Sequence, residues 1–188
     1  MCKALCGLSY KIIGIENIPN KKGIVFIKHS SVYELFVGLL LFSPSSWVAK
    51  HELMYLPLFR SAIKVFDFIP VKRGFGRSQV SRVIRDGTER LSEGKWIVIF
   101  PEGMRVVHGT TTKYGISGAL LAVETKSDIT PIAHNAGKYW GRRALLKKSG
   151  TIVFSVGNKI STIGKTYDEV NQEAKEWIDS EVKRIDGF

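Results

Sequence analysis

The hydrophobic residues of the chain follow two alternating patterns: short unbroken runs, and longer segments with apolar positions at helical spacing. The unbroken runs are rich in β-branched and aromatic residues and predict strands at 10–15, from 24 toward 29, 47–50, 66–74, 95–100, 128–136 and 151–156. The helical spacing predicts helices at 31–42, 51–64, 78–93, 116–125 and 167–185. Strands that alternate with helices indicate the α/β class, with a largely parallel central sheet flanked by helices.

Single residues and short runs add detail to this pattern. Pro70 lacks an amide donor, so its strand is predicted at an edge of the sheet or near a strand end. The run 95–100 is typical of a central strand covered on both faces. Apolar residues fill nearly every position of 31–42, which predicts a helix buried on most sides, with Ser30 and Ser31 as N-cap candidates.

The length of 188 residues fits a single domain, 1–188, that can bury a continuous core. The most apolar run, 35–42, is far shorter than the ~20 residues that cross a bilayer. Cys2 and Cys6 are the only cysteines, too few for a disulfide scaffold and without the second ligand pair of a zinc site. We therefore expect a protein of the reducing cytosol, with any membrane contact peripheral.

The formal net charge of +11 indicates an anionic partner. Nucleic acid, a phospholipid surface and phosphate-bearing substrates all satisfy it. The segment 138–148 interleaves Tyr139 and Trp140 with lysines and arginines, which would also suit a non-enzymatic basic binding module. No recognised nucleic-acid-binding motif accompanies this segment, so nucleic acid is not expected as a partner.

The candidate catalytic base is His29, which lies where a strand gives way to a helix, with Glu34 five residues later. On an uninterrupted helix the two side chains would lie roughly 140° apart. A histidine in the turn before the helix is instead within reach of a carboxylate in the first turns. Such a carboxylate fixes the tautomer and supports the imidazolium, so the other nitrogen can take a substrate proton. The alternative is a structural histidine bonded to backbone beside a solvated Glu34.

Charged residues also follow two other predicted strands. Lys72 and Arg73 lie in the basic turn into which the strand of 66–74 runs, and Glu102, Gly103 and Arg105 follow the strand of 95–100. In open α/β folds, ligands bind beyond the carboxyl ends of the strands, where these residues would meet the histidine. The arginines suit a phosphate group, the glycine would free an amide donor, and the glutamate could hold a guanidinium or a substrate hydroxyl. Taken singly, a charged residue after a strand usually belongs to a solvated turn, so only the whole set indicates a site.

Four blocks, taken in order, resemble those of the glycerolipid acyltransferases. They are His29-x-x-x-x-Glu34, 68–74 (Phe-Ile-Pro-Val-Lys-Arg-Gly), 100–105 (Phe-Pro-Glu-Gly-Met-Arg) and 129–137 (Ile-Thr-Pro-Ile-Ala-His-Asn-Ala-Gly). The nearest likeness is to the bacterial lysophosphatidate (1-acylglycerol-3-phosphate) acyltransferases, and it extends from about Tyr10 to the C terminus.

The resemblance implies transfer of a fatty acyl group from a coenzyme A or acyl carrier protein thioester to lysophosphatidate, giving phosphatidate for phospholipid biosynthesis. His29 would be the general base and Glu34 its orienting carboxylate. Arg73 and the turn 102–105 would bind the glycerol phosphate, Lys72 would add positive charge, and the last block would shape the acyl or acceptor pocket. A base that deprotonates the alcohol is worth ~10²–10⁴ in rate. Because a thiolate is a good leaving group, no acyl-enzyme, metal or cofactor is required.

The chain departs from the pattern of the family it resembles at several positions. Glu34 stands where aspartate is usual, Met104 replaces a common threonine, Lys72 replaces a frequent aspartate, and Tyr114 replaces the second lysine of a Lys-Lys-Gly turn. Only nine residues precede Tyr10. We therefore expect the family's N-terminal hydrophobic anchor to be absent, and docking to depend on the basic surface and on exposed apolar helix faces.

Three alternative functions stay open at this point: the non-enzymatic basic module that binds nucleic acid or an anionic membrane, the same acyl transfer to another acceptor, and a metal hydrolase. Another acceptor, such as glycerol 3-phosphate or an ornithine-containing lysolipid, would leave the chemistry unchanged. Acyl chain length, thioester carrier and oligomeric state are open as well. A metal hydrolase using His29, Glu34, His51 and His134 would need closely spaced ligands such as His-Glu-x-x-His, which the sequence lacks. The leading interpretation places the enzyme peripherally on the cytoplasmic side of the inner membrane, on an anionic surface.

Overall fold

Seven strands form one sheet in the computed structural model, which describes residues 6–55, 66–72 and 76–187. The strands are β1 (Leu8–Ile13), β2 (Ile24–Ile27), β3 (Ser45–Lys50), β4 (Ile69–Val71), β5 (Trp96–Ile99), β6 (Ile129–His134) and β7 (Gly150–Val156). Their order across the sheet is β1-β7-β6-β2-β5-β3-β4. Among these described strands, β6 and β7 pair antiparallel and the other neighbours pair parallel. The predicted α/β class with a largely parallel sheet is confirmed.

Helices cover both faces of the sheet. The α-helices of the described ranges are α1 (Tyr33–Leu41), α2 (Gly76–Ser92), α3 (Ile116–Glu124), α4 (Ala136–Tyr139) and α5 (Tyr167–Asp186). Helices α2, α3 and α5 pack on one face, and α1 and α4 pack on the other. Along β2, Ile24 and Phe26 enter the first core and Val25 and Ile27 enter the second. Burial on both faces explains why β2 and β5 are unbroken apolar runs.

The C-terminal helix α5 is defined by its sequence at both ends. The Thr166 hydroxyl accepts from the Glu169 amide while the Glu169 carboxylate accepts from the Thr166 amide, a capping box worth about 1 kcal/mol. Gly187 ends the helix with a left-handed φ of 80°. Val170 and Ile178 lie on its buried face. The helix therefore provides a fixed wall beside the central strands.

Helix α1 corrects the sequence prediction in two respects. It begins at Tyr33 after an N-cap at Val32, so neither serine of the turn is the N-cap, although the Ser31 hydroxyl accepts from the Tyr33 amide at 3.1 Å. Phe36 and Leu40 are 59% and 63% exposed, so the helix is not buried on most sides. A helix that is apolar all round has no periodicity to reveal its buried face, and α1 packs against the sheet from one side only.

The edge of the sheet beyond β3 agrees with the prediction made from Pro70. Strand β4, which contains this proline, is the edge strand, although it is shorter than the predicted run 66–74. The predicted helix 51–64 begins as a 3-10 helix over His51–Tyr55, and its remainder lies outside the described residues, as does Arg73. Within the described ranges, the helices are all too short or too polar to cross a membrane.

Candidate active site

The site lies at the carboxyl edge of the parallel strands. His29 follows β2 and Glu102 follows β5, and these two strands are hydrogen-bonded neighbours. A cavity of about 550 Å³ opens at this edge, within the range typical of small-molecule sites. Its walls are mostly apolar and include Leu35, Trp47 and Phe68. The cavity therefore combines mostly apolar walls with polar lining residues that include the candidate base.

His29 and Glu34 form the pair that the sequence indicated. His29 Nδ1 lies 2.8 Å from Glu34 Oε1, and the imidazole stacks on the Phe100 ring with centroids 4.0 Å apart. The imidazole lines the cavity while the carboxylate is buried behind it. Since Nδ1 contacts Glu34, proton exchange with a molecule in the cavity falls to Nε2.

The turn before α1 holds the Glu34 carboxylate in place. Its oxygens accept from the Ser30 amide at 3.2 Å and from the Ser31 amide at 3.1 and 2.9 Å. Burial raises the pKa of the Glu34 carboxyl to about 7, against the opposing influence of His134 and of these amides. The carboxylate is thus aimed at His29 by backbone donors, and its charge responds to pH near neutrality.

His134, at the end of β6, supports this pair from behind. Its Nε2 donates to the Lys28 carbonyl oxygen at 2.6 Å and lies 3.6 Å from Glu34 Oε2, while its Nδ1 accepts from the Ala136 amide at 3.2 Å. Burial lowers the pKa of His134, so the ring is neutral. His134 and its neighbours in 129–137 do not line the cavity, which differs from the pocket-shaping role that the resemblance implied.

The metal-hydrolase alternative gains no support from the structure. In the part of the chain that the structure describes, no group of three histidine, cysteine or acidic side chains is arranged to hold a metal ion. His51 lies on the 3-10 helix after β3, with its ring centroid 5.3 Å from that of Tyr55.

Glu102, which follows β5, is buried and pairs with Lys28. Its Oε1 forms a buried ion pair with Lys28 Nζ at 3.3 Å and accepts from the His29 amide at 3.4 Å, and Glu102 is not among the described residues that line the cavity. Burial raises the pKa of Glu102, and Lys28 opposes this effect. Glu102 therefore fixes the backbone of His29, and its expected contact with a guanidinium or a substrate hydroxyl stays a prediction, since Arg73 lies outside the described residues.

Lys28 is a functional candidate that sequence reasoning missed. Its side chain is only 2% exposed, and Nζ donates to the Thr110 carbonyl oxygen at 3.1 Å and lies 3.8 Å from Asp179 on α5. The ammonium thus joins β2, the loop after β5 and α5. The available signal was a lysine at the end of a wholly apolar strand, where burial requires partners.

The basic rim of the cavity is formed in part by residues that were predicted. Arg105 lines the cavity, and so does Arg142, whose Nη1 lies 3.5 Å from the Arg105 carbonyl oxygen. Arg142 was interpreted from the sequence only as part of a basic segment. Lys72 is exposed at the end of β4 and does not line the cavity, and Arg73 lies outside the described residues.

Gly103 also lines the cavity, but its amide is not the free donor that was expected. The backbone has φ of +66°, which favours glycine, and the amide donates to the Phe100 carbonyl oxygen at 2.9 Å. Gly103 thus closes the tight turn that carries Arg105 back toward the cavity.

A second depression, of about 980 Å³, lies along the first half of α5. It is wider and more open, and its lining includes Lys113, Glu173 and Lys175 but no histidine. The chemistry of the candidate base is confined to the smaller cavity.

The site thus consists of a histidine–carboxylate pair beside an apolar cavity, at the carboxyl edge of a mostly parallel sheet. The model of the Acyltransferase family matches residues 9–135, and the chain belongs to this family. The family resemblance drawn from the four blocks is thereby confirmed.

Two relatives are similar in sequence to most of this chain. The chain is 34% identical over 188 residues to the 1-acyl-sn-glycerol-3-phosphate acyltransferase of Pseudomonas aeruginosa, covering 98% of the chain and 73% of the relative. It is 27% identical over 153 residues to the protein of the same name from Borreliella burgdorferi, covering 80% of the chain and 60% of that relative.

A solved structure shares the fold. The crystal structure of the 1-acyl-sn-glycerophosphate (LPA) acyltransferase PlsC from Thermotoga maritima matches 96% of this chain with a TM-score of 0.81, at 20% identity and over 73% of the PlsC chain. At this identity the likeness shows the fold, which agrees with the α/β sheet described above.

Proposed function

We propose that the chain is a 1-acylglycerol-3-phosphate O-acyltransferase that moves a fatty acyl group from a thioester to the free hydroxyl of lysophosphatidate. The observation that carries this proposal is the contact of 2.8 Å between His29 Nδ1 and Glu34 Oε1 at the rim of a largely apolar cavity. The names of the relatives support the same acceptor. The product, phosphatidate, would enter phospholipid biosynthesis.

The reaction follows from the roles of the paired side chains. His29 Nε2 takes the hydroxyl proton as the acceptor oxygen attacks the thioester carbonyl carbon. The C–S bond of the tetrahedral intermediate then breaks, and the departing thiolate takes the proton from the imidazolium. Glu34 holds the ring through Nδ1 and stabilises its positive charge between the two steps. The ester is formed without a covalent acyl-enzyme.

The rim supplies the binding charges. Arg105 faces the cavity and would bind the acceptor phosphate through its guanidinium, with Arg73 and Lys72 as further candidates from the sequence. The apolar walls would receive an acyl chain. The donor is an acyl thioester of coenzyme A or of acyl carrier protein, and neither requires an added cofactor. Because acceptor and product are lipids, we place the enzyme peripherally on an anionic membrane, on the cytoplasmic side of the inner membrane.

The test is product identification with a panel of acceptors. Purified protein is incubated with labelled acyl-coenzyme A or acyl carrier protein thioester and with lysophosphatidate, glycerol 3-phosphate or an ornithine-containing lysolipid. The proposal predicts a product with the mass of phosphatidate from lysophosphatidate. A labelled product from another acceptor alone would reassign the substrate, and no product from any acceptor would contradict the proposed activity.

A further inference from the structure

The segment 141–149, between α4 and β7, carries the two most exposed large hydrophobic side chains of the described residues. Leu145 is 91% exposed and Leu146 is 88% exposed. The segment contains no acidic residue. Its cations flank the leucines on both sides: Arg142, Arg143, Lys147 and Lys148. Adjacent exposed leucines are unfavourable in water unless a partner covers them.

The turn that presents the leucines is held by defined contacts. Lys147 Nζ donates to the carbonyl oxygens of Leu145 at 2.9 Å and Ala144 at 3.3 Å, and it lies 5.0 Å from the centre of the Trp140 ring. The Lys148 amide donates to the Tyr139 carbonyl oxygen at 2.9 Å. The leucine side chains thus project from a turn whose backbone is tied to α4.

This segment lies at the same edge of the sheet as the cavity. Arg142 lines the cavity and reaches the Arg105 carbonyl oxygen in the neighbouring loop. That loop adds two further exposed apolar side chains, since Met104 is 47% exposed and Val107 is 66% exposed. Apolar side chains on two adjoining loops therefore surround the polar rim of the cavity.

The cations of the segment have no carboxylate partner among the described residues. Among the residues that the structure describes, no carboxylate forms an ion pair with Arg142, Arg143, Lys147 or Lys148. Positive side chains beside inserted apolar ones are the composition that binds an anionic lipid surface. A nucleic acid would use the cations but would gain nothing from two aliphatic side chains.

We propose that the segment 141–149 docks the protein on an anionic bilayer, with Leu145 and Leu146 inserted at the level of the acyl chains and Arg143 and Lys148 against lipid phosphates. Docking in this way brings the cavity mouth to the surface that holds the lipid acceptor. The inference rests on the proposed function only for the statement that the bilayer holds the acceptor. The docking surface itself is defined by its charge and by its exposed side chains.

The experiment is vesicle flotation without substrate, at low and high salt, with vesicles of equal parts phosphatidylglycerol and phosphatidylcholine and with pure phosphatidylcholine. Wild-type protein is expected to float with the anionic vesicles. Leu145→Ser/Leu146→Ser should weaken binding by about tenfold or more, because two leucines leave the lipid. Arg143→Gln/Lys148→Gln should weaken it by about fivefold per charge on anionic vesicles only, with a reduced response to salt.

The matched control is Ile163→Ser, since Ile163 is 78% exposed but follows β7, at the opposite edge of the sheet. It should float like the wild type. Failure of the wild type to bind anionic vesicles, equal losses in the leucine and Ile163 variants, or a loss caused by the charge variant alone would each overturn the proposal. Unfolding curves establish that the variants are folded.

Turnover of a monomeric, short-chain lysophosphatidate separates this inference from the proposed function. The leucine variant should retain that turnover while losing vesicle binding. A protein that floats but transfers no acyl group would contradict the proposed function and leave the docking surface supported. A protein that transfers the acyl group while the leucine variant floats like the wild type would contradict only the docking surface.

Discussion

Replacing Glu34 by aspartate, the residue usual in the family the sequence resembles, tests how closely the carboxylate is fitted to His29. Glu34 Oε1 lies 2.8 Å from His29 Nδ1. Removing one methylene draws the carboxylate back by up to about 1.5 Å, one C–C bond, if α1 stays in place. The resulting separation of about 4 Å exceeds the hydrogen-bond limit. The contacts from the Ser30 and Ser31 amides, at 2.9 to 3.2 Å, would lengthen as well.

The expected loss in turnover follows from this displacement. A misplacement of about 1 Å can cost ~10²-fold, and the whole contribution of a general base is ~10²–10⁴. We expect Glu34→Asp to lower kcat by about 10²-fold with little change in KM for the acceptor, because the carboxylate does not line the cavity. The assay follows release of free thiol at saturating thioester and lysophosphatidate.

The control for this prediction is Glu124→Asp, the same change at an exposed residue that ends α3. It should leave kcat unchanged. If Glu34→Asp kept a kcat close to that of the wild type, either α1 would shift to restore the contact or the contact would have no part in turnover. Either outcome would refute the reasoning from distance.

Three further predictions concern charge in the site. Burial raises the pKa of Glu34 from 4.5 to about 7, so folding takes up a proton at pH values between these two. The stability that this proton provides is therefore lost as the pH rises from 4.5 through about 7. In urea unfolding, the free energy of unfolding of Glu34→Gln should rise relative to that of the wild type by on the order of 3 kcal/mol between these pH values. Parallel plots of the two free energies against pH would contradict this prediction. Lys28→Met should lower the free energy of unfolding by about 3–5 kcal/mol because it leaves Glu102 buried without its partner, and adding Glu102→Gln should recover most of that loss; no recovery would show that the pair is not the cause. Arg105→Gln should raise KM for the acceptor by about tenfold or more without changing KM for the thioester, and a rise confined to the thioester would assign the arginine to the donor.

Local parts of the site could be predicted from the sequence. His29 and Glu34 are five residues apart, at a junction between a strand and a helix, so chain geometry alone brings them within reach. The edge position of β4 follows similarly from the missing amide of Pro70. These predictions depend on contacts that the neighbouring backbone determines.

Long-range parts of the site could not be predicted in this way. Glu102 could pair with any nearby cation, and the register of β2 against β5 brings Lys28 Nζ within 3.3 Å of it. Arg142 reaches the cavity because the segment after α4 folds back over the loop that carries Arg105. The exposed face of α1 could not be predicted for a different reason. A continuous apolar sequence has no helical periodicity that would indicate which face is exposed.

The buried Lys28–Glu102 pair explains how a basic, loop-built site keeps its geometry. The ammonium contacts a carboxylate after β5, a carbonyl oxygen at Thr110 and the region of Asp179 on α5. These contacts tie the loop with Arg105 to the strand that delivers His29. A site on loops is thereby supported by the rigid sheet and by α5, as precise catalysis requires.

Thiol release by His29→Ala measures whether His29 removes the proton of the acceptor hydroxyl. We expect a kcat lower by ~10²–10⁴ in a folded protein, while His51→Ala, a histidine outside the cavity lining, keeps the wild-type rate. Near wild-type thiol release by His29→Ala would show that His29 is not the general base.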